Sequence, residues 1–198
     1  MEVVLNSPME KKDIEKLKIG NTVYISGRIY TARDKAHIRA LEYYKEKKAL
    51  PVSFKNETIF HCGPIAQKIN GDWKIVAGGP TTSSRMNAME PKFIAYFRPK
   101  AIIGKGGMDK NTAIAMKKYG CVYLAYVGGA GVLAAKRIKK VLNVHWFDLG
   151  VAEALWEVEA EKFGPLVVGI DTNGKNLYEV VDKEVNKNLK KVREMLSL

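Results

Sequence analysis

Four turns rich in glycine or hydroxyls gather the side chains of this chain best suited to chemistry. The first, Tyr30-Thr31-Ala32-Arg33-Asp34-Lys35-Ala36-His37, sets an arginine, a carboxylate and an imidazole close together. A helix starting at Asp34 places His37 one turn later, where the carboxylate can orient the ring for proton transfer. The same residues also read as a helix-opening aspartate beside an ordinary core or surface histidine. The second turn, Gly78-Gly79-Pro80-Thr81-Thr82-Ser83-Ser84-Arg85, joins glycines that admit a ligand to hydroxyls and a guanidinium suited to a carboxylate or phosphate. Its plain structural reading is a hydroxyl-rich turn capping the next helix.

The third turn, Gly104-Lys105-Gly106-Gly107-Met108, offers an ammonium and free amides to an anion. Its spacing matches neither a Walker A loop nor a full dinucleotide fingerprint. The fourth, Gly128-Gly129-Ala130-Gly131, has no polar side chains and reads as close packing or backbone access, with a nucleotide phosphate as the outside alternative. Arg33, Arg85 and Lys105 are thus three cations on turns, and if they converge they suit a small di-anion. No metal site is expected: Cys62 and Cys121 lack zinc spacing and cannot hold an iron–sulfur cluster alone. Trp73, Trp146 and Trp156 lie in apolar stretches and read as core.

The elements that must position these turns alternate between strand and helix through the middle of the chain. Asp13–Leu17 reads as a short helical turn, and Thr22-Val-Tyr-Ile-Ser as a strand ending at Gly27. Asp34–Lys47 has helical spacing, with Ile38, Leu41 and Tyr44 toward one face. Short strands are expected at Thr58–His61 and Trp73–Ala77. Pro91 opens a helix carrying Phe93, Ile94 and Phe97. Lys100–Ile103 is a buried strand, followed by a helix capped near Asp109 that stops at Gly120. Cys121–Val127 is a second buried strand, followed by a helix over about Val132–Val141. Pro165–Asp171 and Leu177–Val181 flank a hairpin signal at Thr172-Asn173-Gly174, and Asp182 opens a last helix over about 182–197. The expectation is a single compact α/β domain with a mixed sheet.

Composition narrows the function classes. At 198 residues and 46% hydrophobic, the chain can bury one sizeable core. The net charge of +12 would suit nucleic acid, but it is mostly lysine interspersed with glutamate, as on solvated faces. The longest uncharged stretch, Gly120–Ala135, is broken by glycines and shorter than the ~20 apolar residues of a membrane span. The N-terminus lacks the regions of a signal peptide, and two cysteines are too few for a disulfide scaffold, so a reducing cytoplasm is expected. A nucleic-acid reading rests on charge alone, and a phosphate- or nucleotide-binding module on the glycine turns.

Six ordered segments carry a resemblance: ISGRIYTARDKAHIR (Ile25–Arg39), FHCGPI (Phe60–Ile65), GPTTSSRM (Gly79–Met86), GKGGM (Gly104–Met108), HWFDLGVAEALW (His145–Trp156) and GPLVVGIDTNGKNLY (Gly164–Tyr178). Together the chain resembles the β subunit of class I, iron–sulfur-dependent fumarate hydratase, and is similar also to the β subunit of L-tartrate dehydratase. The resemblance implies a swivelling β/β/α fold over residues 1–198. It implies a cytoplasmic hydro-lyase active only as a hetero-oligomer, with a possible homodimer of this chain alone, and no membrane or nucleic-acid partner. It implies an α subunit that carries a [4Fe–4S] cluster, and a C4 dicarboxylate that gains or loses water. Carried over by motif, Thr81 resembles the residue that takes the C3 proton. Arg33, Arg85 and Lys105 resemble the carboxylate clamp, Thr82, Ser83 and Ser84 lend hydrogen-bond donors, and His37 matches a histidine marked as catalytic or stabilising.

Overall fold

The computed structural model describes residues 2–196. Nine strands and six α-helices follow in the order β1 (Glu2–Ser7), α1 (Lys11–Glu15), β2 (Thr22–Thr31), α2 (Asp34–Lys45), β3 (Thr58–Phe60), β4 (Ile65–Ile69), β5 (Asp72–Ala77), α3 (Glu90–Phe97), β6 (Ala101–Gly104), α4 (Lys110–Tyr119), β7 (Val122–Ala125), α5 (Gly131–Arg137), β8 (Ile138–His145), β9 (Leu155–Ile170) and α6 (Leu177–Met195). Single 3-10 turns occupy Ser83–Met86 and Phe147–Leu149.

Seven strands form one mixed sheet in the order β1-β2-β3-β6-β7-β9-β8, and β4 and β5 make a separate hairpin. Strands β2, β3, β6 and β7 are parallel neighbours. The long β9 runs antiparallel to both β7 and β2, which closes the sheet into a barrel. Alternation along each central strand explains how both faces become dry. Phe60, Ala101, Ile103, Val122 and Leu124 point into the barrel with Val23, Ile25, Trp156 and Phe163. Their neighbours Ile59, Ile102 and Tyr123 point the other way, into a second core with Phe54, Phe93, Phe97 and Met116. Short apolar runs at β6 and β7 are therefore buried on both sides, as their composition demands.

The fold matches the expected single α/β domain with a mixed sheet, and several local expectations are corrected. Strand β2 does not end at Gly27. It bulges there, where a shift in the β9 register meets a φ of +91° and a Cβ would lie 2.3 Å from the Ser7 carbonyl oxygen. The buried face of α2 is Ala36, His37, Ala40 and Leu41, while Ile38 and Tyr44 are about half exposed; small alanines let the helix lie close to the sheet. The helix expected to Val141 stops at Arg137, and Ile138, Val141 and Val144 instead pair along β9. Leu177–Val181 is the first part of α6 rather than a strand, because the Asn176 side chain accepts the Tyr178 N–H at 3.0 Å and starts the helix there. Thr172–Gly174 is still a turn, held by Asp171, whose carboxylate accepts the N–H groups of Asn173 and Lys175. Strands β1, β4, β8 and the first half of β9 were not among the expected elements.

Of the three tryptophans, only Trp156 is fully enclosed; Trp73, half-buried, meets it edge to face at 5.2 Å. The Trp156 indole donates to the Val151 carbonyl at 2.8 Å. Among the described residues no helix is long and apolar enough to cross a membrane. Trp156→Ala should lower the unfolding free energy by ~3–5 kcal/mol in urea titrations, whereas Ile38→Ala on the exposed side of α2 should stay within about 0.5 kcal/mol.

Candidate active site

The parallel strands β2, β3, β6 and β7 all end on one side of the barrel, and the turns that follow them meet there. Ligands in such sheets bind beyond the carboxyl ends of the strands. The segment after β5 threads between these turns as if it were an extra short strand. Cys62 pairs with Pro80, and Thr82 with Lys105. The Thr81 N–H donates to the His61 carbonyl at 2.6 Å, the Ser83 N–H to the Lys105 carbonyl at 2.9 Å, and the Lys105 N–H to the Thr81 carbonyl at 3.3 Å. At the start of the segment, Gly78 N–H donates to the Gly131 carbonyl at 2.9 Å. A Cβ on Gly131 would lie 3.2 Å from the Gly79 nitrogen, so the fourth glycine turn serves close backbone packing.

This threading brings the charged residues of two turns onto one carboxylate. Asp34 Oδ2 lies 3.2 Å from Arg33 Nε and 2.9 Å from Arg85 Nη2. Arg33 also reaches Glu153 at 3.0 Å and packs over Gly63, where any Cβ would collide with its guanidinium. Partial burial pushes the Asp34 carboxyl up, but hydrogen bonds and the two arginines outweigh it and hold it below its ordinary value. Lys105 joins the group through its backbone, and its side chain runs beside Gly128. Among the described residues its ammonium has no carboxylate partner, unlike Arg33 and Arg85. Thr81 and Thr82 are half-buried, and Ser84 and Arg85 are exposed.

Two of the residues singled out in the sequence face away from this surface. Ser83 is fully enclosed, its hydroxyl 2.9 Å from His61 Nδ1 and accepting from Tyr123 at 3.1 Å. His37 is also fully enclosed. Asp34 does not orient it, contrary to the sequence expectation: from the opening of α2 the carboxylate turns outward to the arginines, while His37 turns inward. Its Nδ1 meets the Arg33 carbonyl at 3.1 Å, and its Nε2 lies 3.3 Å from Glu90 Oε2. His61 Nε2 approaches the same oxygen at 3.1 Å. Burial pushes the Glu90 carboxyl up, but the two imidazoles overcome this and hold it down to about 2. Burial lowers the pKa of His61, with Glu90 pulling the other way.

Neither kind of metal centre fits these residues well. His37, His61 and Glu90 bring three donor atoms within 4.8 Å of one another. A closed structural zinc site takes four ligands, and a catalytic one keeps a position open to water; three fully enclosed side chains provide neither. Cys62 and Cys121 are both buried free thiols on different strand ends. Burial pushes Cys62 up to about 12, partly opposed by Arg33, and raises Cys121 as well. Such thiols are poor ligands, and the donor set for an iron–sulfur cluster is not in the described residues of this chain.

Residues 1–181 match the family described as Fumarase C-terminus. This chain belongs to that family. It is 46% identical over its whole length to the whole of a Methanocaldococcus jannaschii protein that carries the provisional name L(+)-tartrate dehydratase subunit beta. It is 37% identical to the L(+)-tartrate dehydratase subunit beta of Escherichia coli K12, over 89% of this chain and 87% of that one. A Geobacillus stearothermophilus protein provisionally named fumarate hydratase class I is 36% identical over 97% of this chain, which spans 36% of that longer protein.

Within this Fumarase C-terminus chain, sequence reasoning missed Glu90, His61 and Tyr123 as partners of the site. Their signal was weak: Glu90 lies just before the expected helix start at Pro91, and Tyr123 lies within the apolar Cys121–Val127 strand. Glu90 supplies a pH test. Its carboxyl is depressed in the fold to about 2, against ~4.3 in an unfolded chain. Its stabilising effect is complete above the unfolded value and is lost as pH falls through the folded one. Urea unfolding at stepped pH should therefore show a steeper acid-dependent loss of stability in the native chain than in Glu90→Gln, which keeps only the loss from other depressed carboxylates such as Asp34. Parallel curves for the two would contradict an ionised Glu90.

Proposed function

We propose that this chain is the β subunit of an iron–sulfur hydro-lyase that interconverts fumarate and malate in an active site completed by an α subunit. The observation that carries this reading is the meeting of Arg33, Arg85, Lys105 and the Thr81–Arg85 segment at one strand-end surface. Fumarate carries two carboxylates, and the cations offer paired and single contacts for them. Asp34 holds the two guanidiniums in place and offsets part of their repulsion before substrate arrives. Lys105, lacking such a counter-charge, is the cation best placed to respond to the substrate itself.

Proton removal from the carbon next to a carboxylate builds enediolate-like charge, and fixed cations stabilise that charge as it grows. Thr81 is assigned the proton transfer at C3. A hydroxyl is a weak base by itself, so Thr81 acts with a carboxylate from the α subunit. Thr82 and Ser84 contribute hydrogen-bond donors at the rim. The [4Fe–4S] cluster of this reading belongs to the α subunit, in keeping with the two desolvated thiols here. The names of the relatives, with their β-subunit designation, support an α partner.

The names carried by the M. jannaschii and E. coli relatives favour a second reading, L-tartrate dehydration. Fumarate is placed first because it is the smallest substrate whose charge the clamp satisfies without a partner for a second hydroxyl. Anaerobic mixing with an iron–sulfur α chain, followed by assays on fumarate, malate and L-tartrate, separates the two. Turnover of tartrate alone would replace the fumarate assignment, and turnover of none would remove the hydro-lyase reading.

Arg85→Ala and Lys105→Ala should each reduce turnover in that complex at least ~100-fold. The urea midpoint of each should stay near that of the native chain, because both side chains reach the surface. Near-normal activity in either variant would defeat the clamp.

A further inference from the structure

Behind the clamp, five polar residues from five segments lie end to end: His37 on α2, Glu90 at the start of α3, His61 after β3, Ser83 in its 3-10 turn and Tyr123 on β7. Each has 0% exposure. Their hydrogens follow from what each neighbour can accept. A carbonyl oxygen only accepts, so His37 Nδ1, 3.1 Å from the Arg33 carbonyl, carries a hydrogen. Glu90 opens a helix, where peptide N–H groups favour negative charge, and it faces two imidazoles. An ionised Glu90 has only lone pairs to offer, so His37 Nε2, 3.3 Å away, also carries a hydrogen.

The far side of Glu90 continues the pattern. His61 Nε2 lies 3.1 Å from the same carboxylate oxygen, and facing only lone pairs it carries a hydrogen as well. His61 Nδ1 then accepts the hydroxyl hydrogen of Ser83 at 2.9 Å, and Ser83 accepts from Tyr123 at 3.1 Å. His61 is thereby a neutral ring, and the group as a whole holds one positive and one negative charge, the balance a dry interior requires. Neither Nε2 contact has hydrogen-bond geometry, so Glu90 and the two rings are held by charge and not by alignment.

We propose that His37 is a buried imidazolium held between the Arg33 carbonyl and the Glu90 carboxylate, and that the chain running on through His61 and Ser83 to Tyr123 fixes the spacing between the Arg33–Asp34 turn and the Thr81–Arg85 loop. These five are positioning residues. They touch no substrate, and they join the two segments that carry the clamp. A bound metal at the same three donors would require both Nε2 atoms to be free of hydrogen, so protonation state separates the two descriptions.

The test is a long-range proton–nitrogen correlation spectrum of the 15N-labelled full chain at neutral pH, with metal content measured on the same sample. The expected result is one ring protonated on both nitrogens that disappears in His37→Gln, a second ring with hydrogen on Nε2 only that disappears in His61→Gln, and no stoichiometric metal. His145, half-buried and 3.7 Å from Glu157, serves as the control ring. A neutral His37 would overturn the proposal, as would stoichiometric zinc or iron lost in His37→Gln. A native spectrum in which no ring is protonated on both nitrogens overturns the proposal even if a variant fails to fold.

The positioning role rests on the hydro-lyase reading and is tested separately with Ser83→Ala, which cuts the far end of the chain and adds no bulk. In the complex with an α chain, kcat should fall roughly tenfold with KM within about twofold, while the doubly protonated ring persists. Unchanged kcat would overturn the positioning role. A complex inactive toward every dicarboxylate would sink the hydro-lyase reading, with the histidine spectrum still deciding the imidazolium.

Discussion

Strand β9 bears the constraint on which the other features depend. Residues 156–167 pair with β2, and 167–170 pair with β7, so one strand closes the barrel from both ends of the parallel set. Closure leaves the four parallel strands no unpaired edge within the ring. It also forces their carboxyl ends to converge, because neighbouring strands sit only ~4.8 Å apart. The clamp is therefore a product of topology: side chains that are fifty-two residues apart, Arg33 and Arg85, meet because their supporting strands cannot spread.

Two electrostatic regimes lie back to back at this end of the barrel. On the outer side, Asp34 shares its charge between two guanidiniums within reach of water. On the inner side, Glu90 sits among two imidazoles without water contact. Solvent-reachable pairs of the first kind contribute little to stability. Buried pairs of the second kind are expensive to break, because either partner alone is left as an uncompensated charge. A solvated charged surface thus rests on a dry polar base. The net charge of +12 is mostly irrelevant to either, since it comes from lysines scattered over solvated faces.

The sequence made the architecture legible where one physical signal dominated. The buried runs at β6 and β7, Asp109 as the cap of α4, and Pro91 in the first turn of α3 all behave as their residue types require. It misled where tertiary pairing outweighed local pattern. The helix expected from Val132 would include Ile138–Val141, yet β9 offers these residues a ladder. Gly27 looks like a stop and is a bulge. At the site, residue types and turns pointed to the cations and hydroxyls, but not to the direction each one faces. Asp34 and His37 are three apart, a spacing compatible with contact, and only the packing of α2 turns one outward and the other inward. Glu90 could not be connected to His61 from spacing, because α3 and β3 meet only in the folded chain.

The segment carrying Thr81 is held on both flanks by peptide groups: His61 on one side, Lys105 on the other. Peptide groups are the same whatever side chain they bear. The position of this segment is therefore largely independent of its exposed residues, and a change at Thr82 or Ser84 leaves the ladder beneath it intact. Such a frame lets the recognition surface diverge by single substitutions without a matching repair elsewhere in the fold. Relatives of this chain that bear tartrate and fumarate names are the kind of spread that this decoupling permits.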